Sequence, residues 1–90
     1  MKTGRFAEAV ASLDAALEQN PALTDGWVVK GIALAKQGLH EDAVAAYDTA
    51  LRINPLLPDA GTWKGIALFA LERDHEAVEA LDKALAVNAG

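Results

Sequence analysis

The sequence predicts an all-α fold in which five antiparallel helices stack as successive hairpins. Three observations predict it. Apolar residues recur at helical spacing, blocks of sequence return at a fixed interval of 34 residues, and the joints between segments are only a few residues long. Short joints make consecutive helices antiparallel neighbours.

The predicted helices cover residues 5–19, 24–37, 41–53, 58–71 and 75–87. Phe6, Val10, Leu13 and Leu17 share one face of the first, as Val44, Tyr47 and Leu51 do in the third. Strand-type alternation does not occur. Gln37-Gly38-Leu39 closes the second helix, where a glycine reads as a left-handed C-terminal cap; the following unit has Glu72 at that place. Pro21 and Pro55 follow Asn20 and Asn54 at helix ends. Pro58 with Asp59 suits a first helical turn, where a missing N–H is harmless and a carboxylate meets the positive end of the dipole.

The repeat organises the whole chain. Gly4, Ala9-Val10, Ala16-Leu17 and Asn20-Pro21 return as Gly38, Ala43-Val44, Ala50-Leu51 and Asn54-Pro55, and in part as Ala77-Val78, Ala84-Leu85 and Asn88. Lys30-Gly31-Ile32-Ala33-Leu34 returns as Lys64-Gly65-Ile66-Ala67-Leu68 at the same interval. Residues 1–90 therefore read as one array: 3–23 the second helix of a partial repeat, 24–57 and 58–90 complete repeats. On this reading the array is cut from a longer one, with Met1 a start placed on a fragment.

Composition narrows the function. With 90 residues the chain makes one domain at most. About half of them are apolar but only 6% are aromatic, so the interior depends on closely spaced helices with small contact residues. The net charge of −5 argues against a nucleic-acid partner, which calls for a basic patch. No apolar run approaches the roughly 20 residues that cross a bilayer, and the N-terminus has no apolar signal core. No membrane partner and a cytoplasmic location are the expectations. The absence of cysteine removes disulfides and thiolate metal sites.

Trp27-x2-Lys30-Gly31-x2-Leu34, then Ala43-x3-Tyr47, then Pro55 resembles the tetratricopeptide repeat, whose pattern is W-x2-L-G-x2-Y, A-x3-F and P over 34 residues. This sequence departs from the pattern at several places. Lys30 and Lys64 stand at the leucine position, Gly61 fills the second tryptophan slot with Trp63 two residues beyond it, and Ala89 replaces a third proline. The resemblance implies an α-α superhelix. Gly31 beside Ala43 and Gly65 beside Ala77 would let paired helices approach, and Ala16, Ala50 and Ala84 would admit the next hairpin.

The resemblance also implies a protein-protein interaction scaffold whose first helices line a concave groove. Transferred to this chain, the groove positions are Asp25, Val28, Val29, Ile32, Ala35 and Lys36, then Asp59, Thr62, Trp63, Ile66, Phe69 and Ala70. Val28, Ile32, Ala35, Lys36, Thr62, Trp63, Ile66 and Phe69 are the expected partner-binding residues. A well-known subclass clamps a C-terminal carboxylate with Lys and Asn at these places; Ile32 and Ile66 occupy the asparagine positions, and Asp25 and Asp59 replace a basic one, so an acidic tail is disfavoured. The expected partner is an apolar or amphipathic segment with basic flanks.

Other residues read as structural. His40 and His75 lie in separate turns without ligand spacing, Lys30 and Lys64 lie along the hairpins with their charged ends in water or near a carboxylate, and Trp27 belongs to the core. Glu72, Asp74, Glu76, Glu79 and Asp82 form a solvated acidic face. No Ser/His/Asp set, phosphate loop or paired-carboxylate cleft is present, so neither enzyme activity nor a cofactor is expected. The terminal helices, with Leu81, Leu85 and Val87 uncovered at one end, predict self-association into a homo-oligomer. The alternative function is a structural spacer or self-associating, helix-swapped segment of a longer repeat protein.

Overall fold

The computed structural model describes the backbone of residues 3–89 and the side chains of 5–57 and 59–87. Met1, Lys2 and Gly90 lie outside the described residues, as do the side chains at the Gly4, Asn88 and Ala89 positions of the repeat. Five helices follow in order: α1 Thr3–Gln19, α2 Thr24–Lys36, α3 His40–Ile53, α4 Pro58–Ala70 and α5 Asp74–Ala89. Each begins and ends within two residues of its predicted bounds. The described residues contain no strand.

Each helix packs on the next, and α2 also touches α4, whereas α1, α3 and α5 do not reach one another. That asymmetry gives the array its curvature. The even-numbered helices lie on the inner, concave side and the odd-numbered helices on the outer, convex side.

The core follows from sequence at each contact. Leu34, Ala43, Val44, Ala46, Tyr47, Ala67, Leu68, Ala77 and Ala80 form one buried cluster, with Val10, Trp27, Ile32, Ala35 and Leu71 packed against it. Alanine supplies much of it because the helices are close. A Cβ on Gly31 would overlap the Tyr47 ring, lying 2.7 Å from Cδ1 and 2.9 Å from Cζ; one on Gly65 would lie 2.7 Å from Leu81 Cγ. A real Cβ essentially never approaches its neighbours so closely, so glycine is the residue that lets each hairpin close.

Two expectations change here, and one contact is added. Gly31 makes its closest approach to Tyr47 rather than to Ala43. Leu81, expected at an open end, lies inside the α4–α5 hairpin against Gly65. Ala84 faces Gly61 of its own hairpin, at a distance of 3.1 Å from a Cβ placed there. All three follow from helix phase: residues 43, 47 and 50 form one stripe, and 77, 81 and 84 repeat it 34 residues later.

The Tyr47 side chain is fully buried and its hydroxyl has no hydrogen-bond partner among the described residues. Burial pushes its pKa up to about 12, because the phenolate would lose its hydration. Tyr47 is thus held for the shape of its ring against Gly31 and not for its polar end.

The turns within hairpins repeat as closely as the helices do. After α2, Leu39 N–H donates to the Leu34 carbonyl at 3.0 Å and Gly38 N–H to Ala35 at 2.9 Å; after α4, Arg73 donates to Leu68 and Glu72 to Phe69, both at 2.9 Å. Both are Schellman caps, which need a left-handed residue. Gly38 adopts φ 82° without strain, but Glu72 adopts φ 60° with a side chain in place. For an L-residue that conformation costs about 1–2 kcal/mol. Glu72→Gly is therefore expected to raise the unfolding free energy by about 1 kcal/mol and Glu72→Ala to leave it nearly unchanged. Urea denaturation of the two variants decides it; equal stabilities would remove the strain assignment.

Candidate functional site

The expected binding residues sit on the two inner helices. Val28, Ile32, Ala35 and Lys36 recur at three- and four-residue steps on α2, and Thr62, Trp63, Ile66 and Phe69 do so on α4. The two rows differ in exposure. Val28, Ile32 and Ala35 are half-buried, with Ile32 and Ala35 packed against the core cluster, and Lys36 is exposed. On α4 all four are exposed, Trp63 to 37%, Ile66 to 51% and Phe69 to 46%. Val29, the repeat equivalent of Trp63, is exposed to 48%. Asp25 and Asp59 lie in the first turns of α2 and α4 and are exposed, so carboxylates stand at one end of the rows.

The α4 row is open for a reason visible in the sequence. Ile32 packs against the buried cluster that includes Ala67 and Leu68 of α4, whereas no described helix follows α4 on the inner side to cover Ile66. Burial of such a row against a partner is worth roughly 25 cal/mol per Å² of apolar surface.

Two grooves of measurable volume lie on the convex side instead, and none of the eight expected residues lines either. One, of 360 Å³, runs between α1 and α3 over α2 and is lined by Asp14, Trp27, Lys30, Ala45, Ala46 and Thr49, among others. The other, of 520 Å³, occupies the same place one repeat later, between α3 and α5 over α4, with Asp48, Gly61, Lys64, Glu79, Ala80 and Lys83 in the corresponding positions.

Each groove holds an ion pair. Lys30 Nζ lies 2.6 Å from Asp14 Oδ1, and Lys64 Nζ lies 2.6 Å from Asp48 Oδ1. Sequence reasoning left both lysine ends in water or near a carboxylate and named no partners. The signal was present: Asp14, Asp48 and Asp82 share the 34-residue interval. The pairs are partly exposed, so each adds at most about 1 kcal/mol; their regular recurrence makes them markers of register between successive repeats.

Trp27 differs from a simple core residue. Its body is half-buried, its Nε1–H donates to the Pro21 carbonyl at 2.8 Å, and Lys30 Nζ lies 5.2 Å from the ring centroid. That arrangement combines packing, a hydrogen bond and a cation-π contact. At the edge of the larger groove, Arg73 donates to Glu76 through Nε at 3.0 Å and Nη2 at 2.7 Å. These bonds hold the Glu76 carboxyl below its ordinary range and raise the guanidinium.

Among the described residues there is no cluster of three His, Cys, Asp or Glu side chains that could hold a metal ion. His40 is half-buried with Nδ1 unpartnered, His75 is exposed, and they stand in separate turns. No helix among the described residues is long and apolar enough to cross a membrane.

The tetratricopeptide repeat family model matches residues 1–58. The chain belongs to the tetratricopeptide repeat (TPR) family. No curated protein matches it in sequence. Among solved structures, a crystal structure of MamA is 26% identical with a TM-score of 0.91 over 94% of this chain and 50% of the other. The chain thus spans about half the length of the MamA structures it matches. The TPR2B domain of yeast Sti1, in a complex with pHsp70, is 26% identical with a TM-score of 0.91 over 96% of this chain and 69% of that one. The first TPR of Spaghetti (RPAP3), bound to the HSP90 peptide SRMEEVD, has a TM-score of 0.91 at 20% identity over 99% and 71%, a likeness of fold alone.

Proposed function

We propose that this TPR chain is a non-catalytic protein-binding scaffold whose inner face takes an apolar or amphipathic segment with basic flanks. Family membership and the likeness to the peptide-bound Sti1 domain support a protein partner. The observation that carries the finer reading is the exposed row of Trp63, Ile66 and Phe69 on α4 with Asp25 and Asp59 at the helix starts. Apolar side chains drive association, and the carboxylates select basic flanks over acidic ones.

The Spaghetti peptide, SRMEEVD, shows the contrast. Such a tail carries carboxylates near its end, and here it would approach Asp25 and Asp59 with Ile32 and Ile66 in place of amide side chains. Repulsion and unpaired polar groups argue against that mode for this chain. Ordering a flexible peptide offsets much of the burial, which puts the affinity at about micromolar.

The test is binding of a tryptophan-free amphipathic peptide library with basic flanks. Trp63→Ala and Phe69→Ala are expected to weaken the selected peptides at least tenfold each, the loss of a central aromatic anchor, while circular dichroism stays helical. Unchanged capture by both variants would remove the inner face as the site.

A second reading, a self-associating or spacer segment of a longer repeat array, is supported by one further observation. Val78, Asp82 and Leu85 repeat Val44, Asp48 and Leu51 of α3, the helix that packs on α4 and pairs Asp48 with Lys64. On α5 no described helix lies against that face: Val78 is exposed to 49%, Leu85 to 64%, and Asp82 has no ion-pair partner among the described residues. The face is therefore shaped for one more helix bearing a lysine. Sedimentation is expected to show mass rising with concentration for the native chain and not for Asp82→Lys/Leu85→Glu. A monomer at every concentration would eliminate self-association.

A further inference from the structure

The two convex grooves are the same feature in successive repeats, and the comparison between them identifies a site. In the first, residue 27 is a tryptophan that fills the space beside the Asp14–Lys30 pair, donates its N–H to the Pro21 carbonyl and lies beneath the lysine ammonium. In the second, every one of those partners recurs except the ring. Lys64 and Asp48 are paired, Pro55 stands where Pro21 does, and position 61 is glycine. The Pro55 carbonyl accepts no hydrogen bond among the described residues.

Loss of the ring leaves space. The groove grows from 360 Å³ to 520 Å³, within the roughly 300–1,000 Å³ of ligand sites. Apolar Leu51, Leu57, Ala80, Ala84 and Val87 line it beside Gly61, and Asp48, Arg52, Lys64, Glu76, Glu79 and Lys83 form a charged rim. Trp63 does not refill it, since two residues along a helix turn its side chain to the opposite, inner face.

From this we infer that the Gly61 notch is a binding site for a tryptophan side chain presented by a partner protein, seated from the convex surface. The indole lies over Leu51 and Ala84, its N–H donates to the Pro55 carbonyl, and its face receives the Lys64 ammonium. The occupant is a protein-borne indole because the chain's own equivalent is one: Trp27 makes the carbonyl hydrogen bond and the lysine contact in the preceding repeat. The site is separate from the inner face, so it does not depend on the function proposed above.

Titration of the isotope-labelled chain with N-acetyl-tryptophanamide, followed by amide NMR, tests this directly. Saturable shifts are expected to centre on Gly61, Ala80 and Ala84. The 1-methylindole analogue, which lacks the N–H, is expected to bind about fivefold more weakly, the worth of one hydrogen bond. N-acetyl-leucinamide is expected to give no saturable shift. Lys64→Gln, at a side chain that is partly exposed, is expected to weaken binding about two- to fivefold through loss of the cation-π contact.

Gly61→Trp fills the notch with a tethered ring and is expected to abolish binding. A Cβ at 61 lies 3.1 Å from that of Ala84, so the hairpin must widen by a few tenths of an ångström to take it. Should this variant lose helicity, the methylated probe and Lys64→Gln still decide the matter. Absence of saturable shifts at Gly61, equal binding of the leucine probe, or equal binding of the methylated probe would each overturn the assignment.

Discussion

Close approach of paired helices, at Gly31 against the Tyr47 ring and at Gly65 against Leu81, is the constraint on which the rest of the structure depends. With only 6% aromatic residues, the chain cannot fill a wide interior. It narrows the interior instead. Alanines at 43, 50, 77 and 84 are core residues, with Ala77 and Ala84 set against Gly65 and Gly61 of the facing helix, and the larger groups Leu34, Tyr47 and Leu68 span what remains.

Curvature and function follow from that spacing. The inner helices α2 and α4 touch while the outer ones stand apart, so one side of the array offers a continuous row of side chains and the other a series of grooves. The two surfaces carry different chemistry. Exposed apolar groups with carboxylates at one end mark the inner side, and recurrent Asp–Lys pairs mark the outer side at each junction between repeats. A break in the repeat at position 61 therefore has a local consequence, a larger groove on the convex side beside a close Gly61–Ala84 contact.

Much of this was legible in the sequence, because a 34-residue period translates directly into helix pairs. Helix ends were read to within two residues from Gly38, Pro21, Pro55 and Pro58. Less legible was which side chain faces which across a hairpin. Leu81 was expected at an open end, yet helix phase turns it inward with Tyr47 as its counterpart, and a sequence without coordinates shows spacing but not rotation. The aspartate partners of Lys30 and Lys64 escaped notice because Asp14 and Asp48 lie among other exposed charges, and only distance singles them out. Position 61 was noted as a departure from the family pattern; its meaning as a cavity required the Trp27 contacts for comparison.

A double-mutant cycle across the α2–α3 contact tests the constraint most directly. Gly31→Ala is expected to cost about 1–3 kcal/mol against native Tyr47, where the new methyl collides with the ring. With Tyr47→Val, which removes the colliding ring atoms, the same change is expected to be neutral or to stabilise by up to about 1 kcal/mol, as alanine usually does in a helix. An equal cost in both backgrounds would contradict the account, because the helices would then not be held together at that point.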